Sequence, residues 1–315
     1  MNDLKRTAVV ALGGNALSPP GERATIADQF RHTRDSVAAI VDLARDGWHL
    51  CVVHGNGPQI GDELVRNEVA RTQVEPLPLG VLVAATAGWI GYMIQQSLDN
   101  ALRHAGIARN VTTIVTQVQV DAADPALKNP SKFIGHAIPD ERATALIAEG
   151  IAIKKDSNDM YRRVVGSPEP RGIHDMEIIK PLVDSGTIVI ACGGGGVPVY
   201  TDAKKNLEGI DAIVDKDAVS AVLAAELGAE LLLILTSVDA VYADWGTDKK
   251  RALRNLTVTE ARRMDSEKAF GEGSMAPKVR ASVDFVSKTG GRAIIADLNQ
   301  GMDAVHGRAG TTIAN

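Results

Sequence analysis

The chain has 315 residues, of which 45% are hydrophobic but only 3% aromatic, and its formal net charge is −5. This composition suits a large aliphatic core, as in a parallel sheet flanked by helices. The negative charge and the scarcity of aromatic side chains exclude a general affinity for nucleic acid or for anionic lipid, so any anionic ligand must be held by a few placed cations.

The first predicted strand spans residues 8–12 and ends at Gly13 and Gly14. Paired glycines at a strand end usually mark an ordinary turn, but they also allow backbone N–H groups to face an anion. Similar apolar runs end in glycines at residues 50–57 and 187–196. Because ligands of open parallel sheets bind at the carboxyl ends of the strands, the three loops together predict a cleft for a phosphorylated ligand.

Helical spacing follows the first two glycine loops. A capping box at Thr25 and Asp28 predicts one long helix that ends at Gly47. This helix connects two strands, and such a unit places its strands parallel with a right-handed crossover. Pro58 suits the first turn of a further helix that continues to about Arg71.

Residues 76–98 contain no charged side chain and are long enough to cross a lipid bilayer. The segment includes polar residues such as Thr86 and Gln95, and it stands alone in the chain. We therefore favour a buried or interface helix, closed by Gly106, over a membrane span. Residues 1–6 lack the apolar region of a secretory signal, which predicts a cytoplasmic protein.

The middle of the chain has a different character. Residues 110–120 alternate apolar and polar side chains, which predicts one strand with a wetter face. The region that follows is charged and contains prolines, and within it residues 151–155 and 161–165 are typical of a hairpin. We therefore predict a small inserted subdomain, at about residues 124–170, that could act as a lid.

The last part of the chain returns to alternating strands and helices, which is typical of a sheet covered by helices. Helices are predicted at residues 215–227 and 274–288. Strands are predicted at residues 188–192, 208–214, 230–235, 293–296 and 310–313, with residues 241–242 extending the third of these after a bend at residues 237–239.

The sequence does not support several common kinds of nucleotide or metal site. The chain has no Walker pattern, and its glycine runs fail the dinucleotide fingerprint. The seven histidines show no paired ligand spacing, and Cys51 and Cys192 lie singly in apolar runs, so we predict reduced core cysteines and no zinc site or disulfide. His54 fits a strand-end residue bonded to backbone, with contact to a ligand as the alternative.

Two lysines lie at predicted strand and helix ends. Lys216 follows a predicted strand, and its neighbours Asp215 and Asp217 would keep it charged and oriented. Lys278 opens the late helix directly after Pro277. Each is either an ordinary solvated lysine, since lysine is rarely buried, or a cation placed for an anionic ligand.

Six short motifs follow one another along the chain. They are Gly-Gly-Asn-Ala-Leu at residues 13–17, His-Gly-Asn-Gly-Pro-Gln at 54–59, Asn-Pro-Ser-Lys at 129–132, the glycines at 193–196, the segment 211–217, and Ala-Pro-Lys at 276–278. In this order the motifs closely resemble those of the carbamate kinases, which belong to the amino acid kinase superfamily. The resemblance covers almost the whole chain, and the joint pattern is specific although each motif alone is weak.

The resemblance implies a three-layer αβα sandwich around a mainly parallel open sheet, with a small inserted lid subdomain. It also implies an N-terminal lobe, residues 1–206, that binds carbamate or carbamoyl phosphate, and a C-terminal lobe, residues 207–315, that binds ADP or ATP. The family reaction is reversible phosphoryl transfer between ATP and carbamate with Mg²⁺, often in the direction of ATP. The family also implies a homodimer, for which the uncharged helix at residues 81–94 is the only internal sign.

Matching motif positions assign roles to individual residues. The catalytic residues implied are Lys132, Lys216, Lys278 and Asp217, with Asp217 orienting the lysines. The substrate-binding residues implied are Gly13, Gly14, Asn15, Gly55, Asn56 and Gly57. The nucleotide-binding residues implied are Lys216, Ser237, Asp239, Tyr242, Ala276 and Lys278. No side chain is assigned to Mg²⁺. This set suits phosphoryl transfer, which needs in-line alignment and neutralised oxygens but no protein nucleophile.

The chain departs from the family at several places, including the unusual Ser-Pro-Pro-Gly loop at residues 18–21. The family usually has proline where this chain has Phe133 and His136, and Ser-Gln-Gly where this chain has Thr-Ala-Gly at residues 86–88. Two other functions therefore stay open. One is a sister amino acid kinase acting on a larger carboxylate such as acetylglutamate or glutamate, against which the uninterrupted motif at residues 54–59 argues. The other is a nucleotide-binding regulator without turnover, against which the three lysines argue.

Overall fold

The computed structural model describes residues 6–14, 17–18, 25–156, 158–245, 247–270 and 275–315. Within these residues, no helix combines the length and the apolar character that crossing a membrane requires. The strands are β1 (Thr7–Leu12), β2 (His49–His54), β3 (Val111–Thr113), β4 (Gln117–Gln119), β5 (Lys132–Ile138), β6 (Ile153–Lys155), β7 (Tyr161–Val165), β8 (Gly172–Ile173), β9 (Ile188–Ile190), β10 (Val197–Thr201), β11 (Leu207–Gly209), β12 (Leu231–Thr236), β13 (Val241–Ala243), β14 (Arg251–Leu253), β15 (Asn255–Thr257), β16 (Arg292–Asp297) and β17 (Thr311–Ala314). The helices are α1 (Ile26–Ser36), α2 (Ala38–Arg45), α3 (Gly57–Ala70), α4 (Leu79–His104), α5 (Pro125–Lys128), α6 (Asp140–Ala148), α7 (Met176–Asp184), α8 (Lys216–Leu227), α9 (Val258–Ser266), α10 (Met275–Thr289) and α11 (Gly301–Val305).

Eight strands form the central sheet, in the order β15-β17-β16-β12-β1-β2-β9-β3. Neighbouring strands run parallel except for β16 and β17, which are antiparallel. Alternate residues of β1 pack into two separate cores: Val9 and Ala11 join α8 and α10, whereas Ala8 and Val10 join α2 and α4. Because successive side chains of a strand point to opposite faces, helices cover both sides of the sheet. The expected α/β sandwich around a mainly parallel sheet is confirmed.

The helix predicted from Thr25 to Gly47 is two helices, α1 and α2, that meet at Val37. The capping box at its start does form. Near the end of α1, the hydroxyls of Thr33 and Ser36 donate to carbonyl oxygens one turn earlier, at 2.6 and 2.7 Å. Such bonds compete with the backbone ladder and bend helices. The prediction of one continuous helix was wrong at this break.

Three strand predictions were wrong because apolar patterning continues where the chain changes sheet or leaves it. Residues 110–120 form two strands: β3 joins the central sheet, and β4 joins a second sheet of order β11-β10-β4-β8. In the strand predicted at residues 208–214, only the start pairs, as β11; further on, the Ile213 N–H donates to the Gly166 carbonyl at 3.0 Å in a buried loop. Residues 241–242 belong to β13, which pairs antiparallel with β14 and does not extend β12.

The charged middle region, residues 124–170, contains the three-stranded sheet β5-β7-β6 and α6, and we call it the inserted subdomain. Its β6 and β7 are the predicted hairpin, and they pair antiparallel. The subdomain meets α3 where two glycine backbones touch: a Cβ atom on Gly135 would lie 3.0 Å from the Cα atom of Gly61. Glycine at both positions therefore allows this close approach of helix and strand.

A Gly61→Ala substitution tests this contact, because the contact decides whether the substitution raises or lowers the free energy of unfolding. Alanine in place of a helical glycine usually stabilises a protein by about 0.5–1 kcal/mol. Here the new methyl group would lie 2.9 Å from the Gly135 nitrogen and overlap its Cα atom. We expect overpacking to lower the free energy of unfolding by about 1–3 kcal/mol, measured in urea.

The control is Gly80→Ala in α4, whose methyl group would meet nothing closer than the Ile210 carbonyl oxygen at 3.6 Å. It should leave the stability unchanged or raise it slightly. A Gly61→Ala protein as stable as the Gly80→Ala protein would contradict the backbone contact.

Candidate active site

The carboxyl ends of four neighbouring parallel strands, β9, β2, β1 and β12, meet at one edge of the central sheet. The loops that follow them are joined by backbone hydrogen bonds. The Gly55 N–H donates to the Leu12 carbonyl at 3.0 Å, and the Gly13 N–H donates to the Leu235 carbonyl at 3.1 Å. These bonds continue the sheet past its strand ends, so the first two glycine loops lie side by side as predicted.

Gly14 and Gly55 touch across this junction. A Cβ atom on Gly55 would lie 2.9 Å from the Gly14 nitrogen, so a side chain there would push the loops apart. Gly14 has more room, since its own Cβ atom would meet nothing closer than Pro58 Cδ at 3.5 Å, and a Cβ atom on Gly57 would meet nothing within 4 Å. The fold therefore requires glycine at residue 55, whereas residues 14 and 57 have space that a ligand could fill. Asn15 lies outside the described residues.

The four glycines at residues 193–196 do not form a third bare loop, and this part of the prediction was wrong. All four are buried, and Cβ atoms on them would overlap His54, Asn56, Val214 and Val118 in turn. The last three also have φ angles of +69°, +98° and +78°, which favour glycine. This loop is glycine-rich because the backbone packs tightly behind the site.

A carboxylate and two lysines lie together at the same edge. Asp217 stands in the first turn of α8, and its carboxylate accepts a hydrogen bond from the Lys278 ammonium of α10 at 3.0 Å. Its other oxygen pairs with the Lys216 ammonium. Only 4% of Asp217 and 7% of Lys278 is exposed. The methylene chain of Lys216 passes close to Gly55, since a Cβ atom there would lie 3.5 Å from Lys216 Cδ. We call Lys216, Asp217 and Lys278 the lysine cluster.

Burial and charge pairing oppose each other in the lysine cluster. Burial alone would raise the pKa of Asp217, but the ammonium groups of Lys216 and Lys278 hold that pKa well below its usual range. Burial lowers the pKa of Lys216, and the charge of Asp217 opposes this shift. Two ammonium groups and one carboxylate leave one net positive charge with little access to water. An anion bound here would complete the neutralisation.

Lys132, the fourth predicted catalytic residue, reaches the same helix from the inserted subdomain. Its ammonium pairs with the carboxylate of Asp215, which caps the N-terminus of α8. The other carboxylate oxygen of Asp215 accepts from the Asp217 backbone N–H at 2.8 Å. Burial would raise the pKa of Asp215, but the charge and hydrogen bond of Lys132, together with the charge of Lys216, lower it below its usual value. We expected Asp215 to hold Lys216, and the structure pairs it with Lys132.

Asn56 is oriented by Thr86, a residue that was not predicted to contribute to the site. The Asn56 amide nitrogen donates to Thr86 Oγ1 at 3.0 Å, and the Thr86 hydroxyl donates to the Leu82 carbonyl at 2.8 Å. Because the hydroxyl hydrogen is committed to α4, its oxygen accepts, and the nitrogen side of the amide faces the helix. The sequence signal available for this role was a hydroxyl side chain within the uncharged stretch of residues 76–98.

Three titratable residues behind the site are held uncharged by burial. Burial lowers the pKa of His54 to about 4, and the ring Nδ1 lies 3.1 Å from the Gly55 carbonyl oxygen, which confirms a backbone-bonded strand end. Its imidazole also packs against Gly193. Cys51 and Cys192 are free and buried, and burial raises the pKa of the Cys51 thiol to about 12. Both are reduced core residues, as predicted.

The residues predicted to bind nucleotide fall into two groups. Ser237, Asp239 and Tyr242 follow β12 at this edge, and the Tyr242 hydroxyl donates to Asp239 at 2.6 Å. Ala276 lies in the first turn of α10 near Lys278, but it is buried, so its side chain is not open to a ligand. In the part of the chain that the structure describes, no hydrogen bond or ion pair joins the first group to the lysine cluster.

Comparison with known proteins identifies the family. The sequence profile of the amino acid kinase family matches residues 6–297. The chain belongs to this family. The carbamate kinase of Pyrococcus horikoshii is 41% identical over 308 residues, which cover 97% of this chain and 98% of that protein. The carbamate kinase-like protein YqeA of Escherichia coli is 40% identical over 314 residues, which cover 98% of this chain and 99% of that protein.

Solved structures place this amino acid kinase among the carbamate kinases in fold. The carbamate kinase of Giardia lamblia bound to citric acid has a TM-score of 0.93 and 34% identity, with 99% of each chain covered. The same protein bound to AMP-PNP has a TM-score of 0.90 over the same share of each chain. The carbamate kinase resemblance inferred from the six motifs is confirmed.

Among the described residues, no group of three or more His, Cys, Asp or Glu side chains is arranged to hold an ion. Of the carboxylates at this sheet edge, Asp215 and Asp217 are paired with lysines, and Asp239 accepts a hydrogen bond from the Tyr242 hydroxyl.

The buried neutral His54 predicts a pH dependence of stability. Its pKa is about 4 in the folded chain, against about 6.5 for an exposed histidine. Below pH 6.5 the unfolded chain therefore binds a proton that the folded chain does not, and folding weakens by about 1.4 kcal/mol per pH unit until about pH 4. Above pH 6.5 the contribution is constant.

Denaturant unfolding at pH 7, 6 and 5 measures this dependence, with His54→Asn as the comparison because other groups also titrate. We expect the variant to lose less stability than the wild type as the pH falls. Equal losses in the two proteins would show that His54 is protonated when folded.

Proposed function

We propose that this protein is a carbamate kinase that transfers a phosphoryl group reversibly between carbamoyl phosphate and ADP, with Mg²⁺. The observation that carries the proposal is the lysine cluster, a buried net positive charge beside glycine loops with space at Gly14 and Gly57. The names of relatives about 40% identical over nearly the whole chain support the choice of substrates.

The reaction asks for little covalent chemistry from the protein. In the direction of ATP, an oxygen of the ADP β-phosphate forms a bond to the phosphorus of carbamoyl phosphate. The bond from that phosphorus to the carbamate oxygen breaks, and carbamate leaves with the electron pair. Charge spreads over the oxygens of the transferring group, and preorganised cations stabilise it because they need not rearrange during the reaction.

The lysines have complementary parts in this proposal. Lys216 and Lys278 contact the oxygens of the transferring phosphoryl group, and Asp217 holds both ammonium groups in place. Lys132 approaches from the inserted subdomain, where Asp215 anchors it. Mg²⁺, when bound, would neutralise phosphate oxygens of the nucleotide; Asp215 and Asp217 are the carboxylates of this site that would contribute ligands, and magnesium sites of this kind take most other ligands from phosphate and water.

The two halves of the chain hold different substrates in this proposal. Residues 1–206 bind carbamate or carbamoyl phosphate through the backbone of Gly13, Gly14, Gly55 and Gly57 and the side chains of Asn15 and Asn56, the latter oriented by Thr86. Residues 207–315 bind ATP or ADP near Ser237, Asp239 and Tyr242, with Ala276 contributing backbone only. The nucleotide analogue bound by the Giardia lamblia relative supports this half of the proposal.

We also infer a homodimer, formed through the outer face of α4. Val81 and Tyr92 of α4 and the nearby Val115 are each about half exposed, whereas most other apolar side chains of this helix are buried in the core. Sedimentation equilibrium at micromolar concentration should give twice the chain mass, and a monomer mass would contradict the dimer. The nucleotide substrates suggest a cytoplasmic location, which cell fractionation tests.

Formation of ATP from ADP and carbamoyl phosphate tests the proposed reaction. We expect ATP production that requires the protein, both substrates and Mg²⁺, with acetyl phosphate as a control donor that gives little ATP. Phosphorylation of acetylglutamate or glutamate, without ATP from carbamoyl phosphate, would replace the proposal with a sister kinase. Nucleotide binding without any turnover would replace it with a regulator.

A further inference from the structure

Helix α3 connects the active-site loops to the inserted subdomain. It begins at Gly57, directly after the loop that contains Gly55 and Asn56. One turn later, its Gly61 backbone packs against Gly135 of β5. A helix is a rigid element, so the contacts along its length decide where the subdomain lies relative to the loops.

Glu68 is the residue through which α3 holds two elements of the subdomain at once. One carboxylate oxygen accepts from Arg142 of α6 at 3.0 Å, and the other pairs with Arg163 of β7. The side chains of Glu68 and Arg163 are only 19% and 14% exposed, so solvent and salt screen this pair weakly. These contacts join residues that are far apart in the sequence and belong to three different elements.

The other ion pairs between α3 and the inserted subdomain are more exposed than the pair of Glu68 with Arg163. Arg71 pairs with Glu149 at 3.1 Å, and Asp62 lies 3.5 Å from the His136 ring, but these side chains are between about 40% and 60% exposed. Exposed pairs of this kind contribute little to holding two parts of a protein together.

Backbone pairing connects Glu68 to Lys132. In the register of β5 and β7, Arg163 lies opposite Ile134, and Lys132 is the first paired residue of β5. The strand that Glu68 holds is therefore hydrogen-bonded to the strand that carries Lys132. Because paired strands move together, a displacement of β7 displaces Lys132 from Asp215.

We propose that Glu68 is a positioning residue that sets the reach of Lys132 by holding the inserted subdomain on α3. Removal of its negative charge leaves Arg163 as a largely buried cation without its partner, which proteins tolerate poorly. The subdomain then shifts until the guanidinium group is hydrated, and Lys132 shifts with it. The consequence for turnover rests on the proposed function, whereas the consequence for docking does not.

Hydrogen exchange tests the docking directly, with Glu68→Gln as the variant. We expect backbone amides of β5 and β7 to exchange about tenfold faster than in the wild type, while those of β1 and β12 are unchanged. The matched control is Glu63→Gln, because Glu63 lies on the same helix but pairs with Arg66 within it. Unchanged exchange in β5 and β7 would overturn the proposal.

Turnover in a double-mutant cycle tests whether Glu68 acts through Lys132. We expect Glu68→Gln to lower kcat about ten- to a hundredfold, as misplacement by about an ångström does, with the KM for ADP changed less than about twofold. Added to Lys132→Met, it should cause no further loss. Additive losses, or a full kcat in Glu68→Gln, would overturn the proposal. If the wild type makes no ATP, the proposed function fails, and the exchange experiment still decides the docking.

Discussion

The carboxylate of Asp217, bonded to two lysines, is the interaction around which the site is built. A buried carboxylate is stable as an anion only when nearby charges repay its lost hydration, and here Lys216 and Lys278 do so. The same contact confines two ammonium groups within a few ångströms of each other, which only a shared counter-ion permits. The cluster therefore keeps a positive charge where little water reaches it. Electrostatic stabilisation of a phosphoryl group is strongest in such an environment.

The central sheet brings the two halves of the chain together beside this cluster. The parallel pairing of β1 with β12 sets the Gly13 loop beside the chain that leads from β12, and the pairing of β1 with β2 adds the Gly55 loop. Cations from the second half thus lie against bare backbone from the first half. The inserted subdomain brings a further lysine, Lys132, to this edge of the sheet. Its ammonium pairs with Asp215, which caps the N-terminus of α8.

Glycine serves different purposes at different places in this molecule. At residues 193–196 and at the contact of Gly61 with Gly135, it lets protein pack against protein. At Gly57 the space beside the backbone is open, and at Gly14 a Cβ atom would reach only ordinary van der Waals contact, 3.5 Å from Pro58 Cδ. Sequence alone shows a glycine in each case and cannot separate the two uses, because the distinction depends on what lies opposite in space. This is why a third phosphate loop was expected where the structure has a packed turn.

The same reasoning explains which other features the sequence could and could not predict. Six strands of the central sheet, β1, β2, β9, β12, β16 and β17, and helices α3, α4, α8 and α10 follow from local periodicity and caps, and they were predicted; β15 was missed, and β3 was merged with β4. The family motifs located Lys216, Asp217 and Lys278 before their contacts were known. Other contacts join residues at least 30 positions apart in the sequence. They are the pairing of Lys132 with Asp215, the hydrogen bond of Asn56 to Thr86, and the contacts of Glu68. No local pattern encodes such contacts.

Turnover of Lys278→Met is the most direct measurement of the central claim. Asp217 keeps Lys216 as its partner in this variant, so the chain should fold, while one preorganised charge worth roughly 3 kcal/mol in the transition state is lost. We predict that kcat for ATP formation falls on the order of a hundredfold, while Lys288→Met, near the other end of α10, keeps wild-type turnover. A folded Lys278→Met protein with near-full turnover would contradict the account.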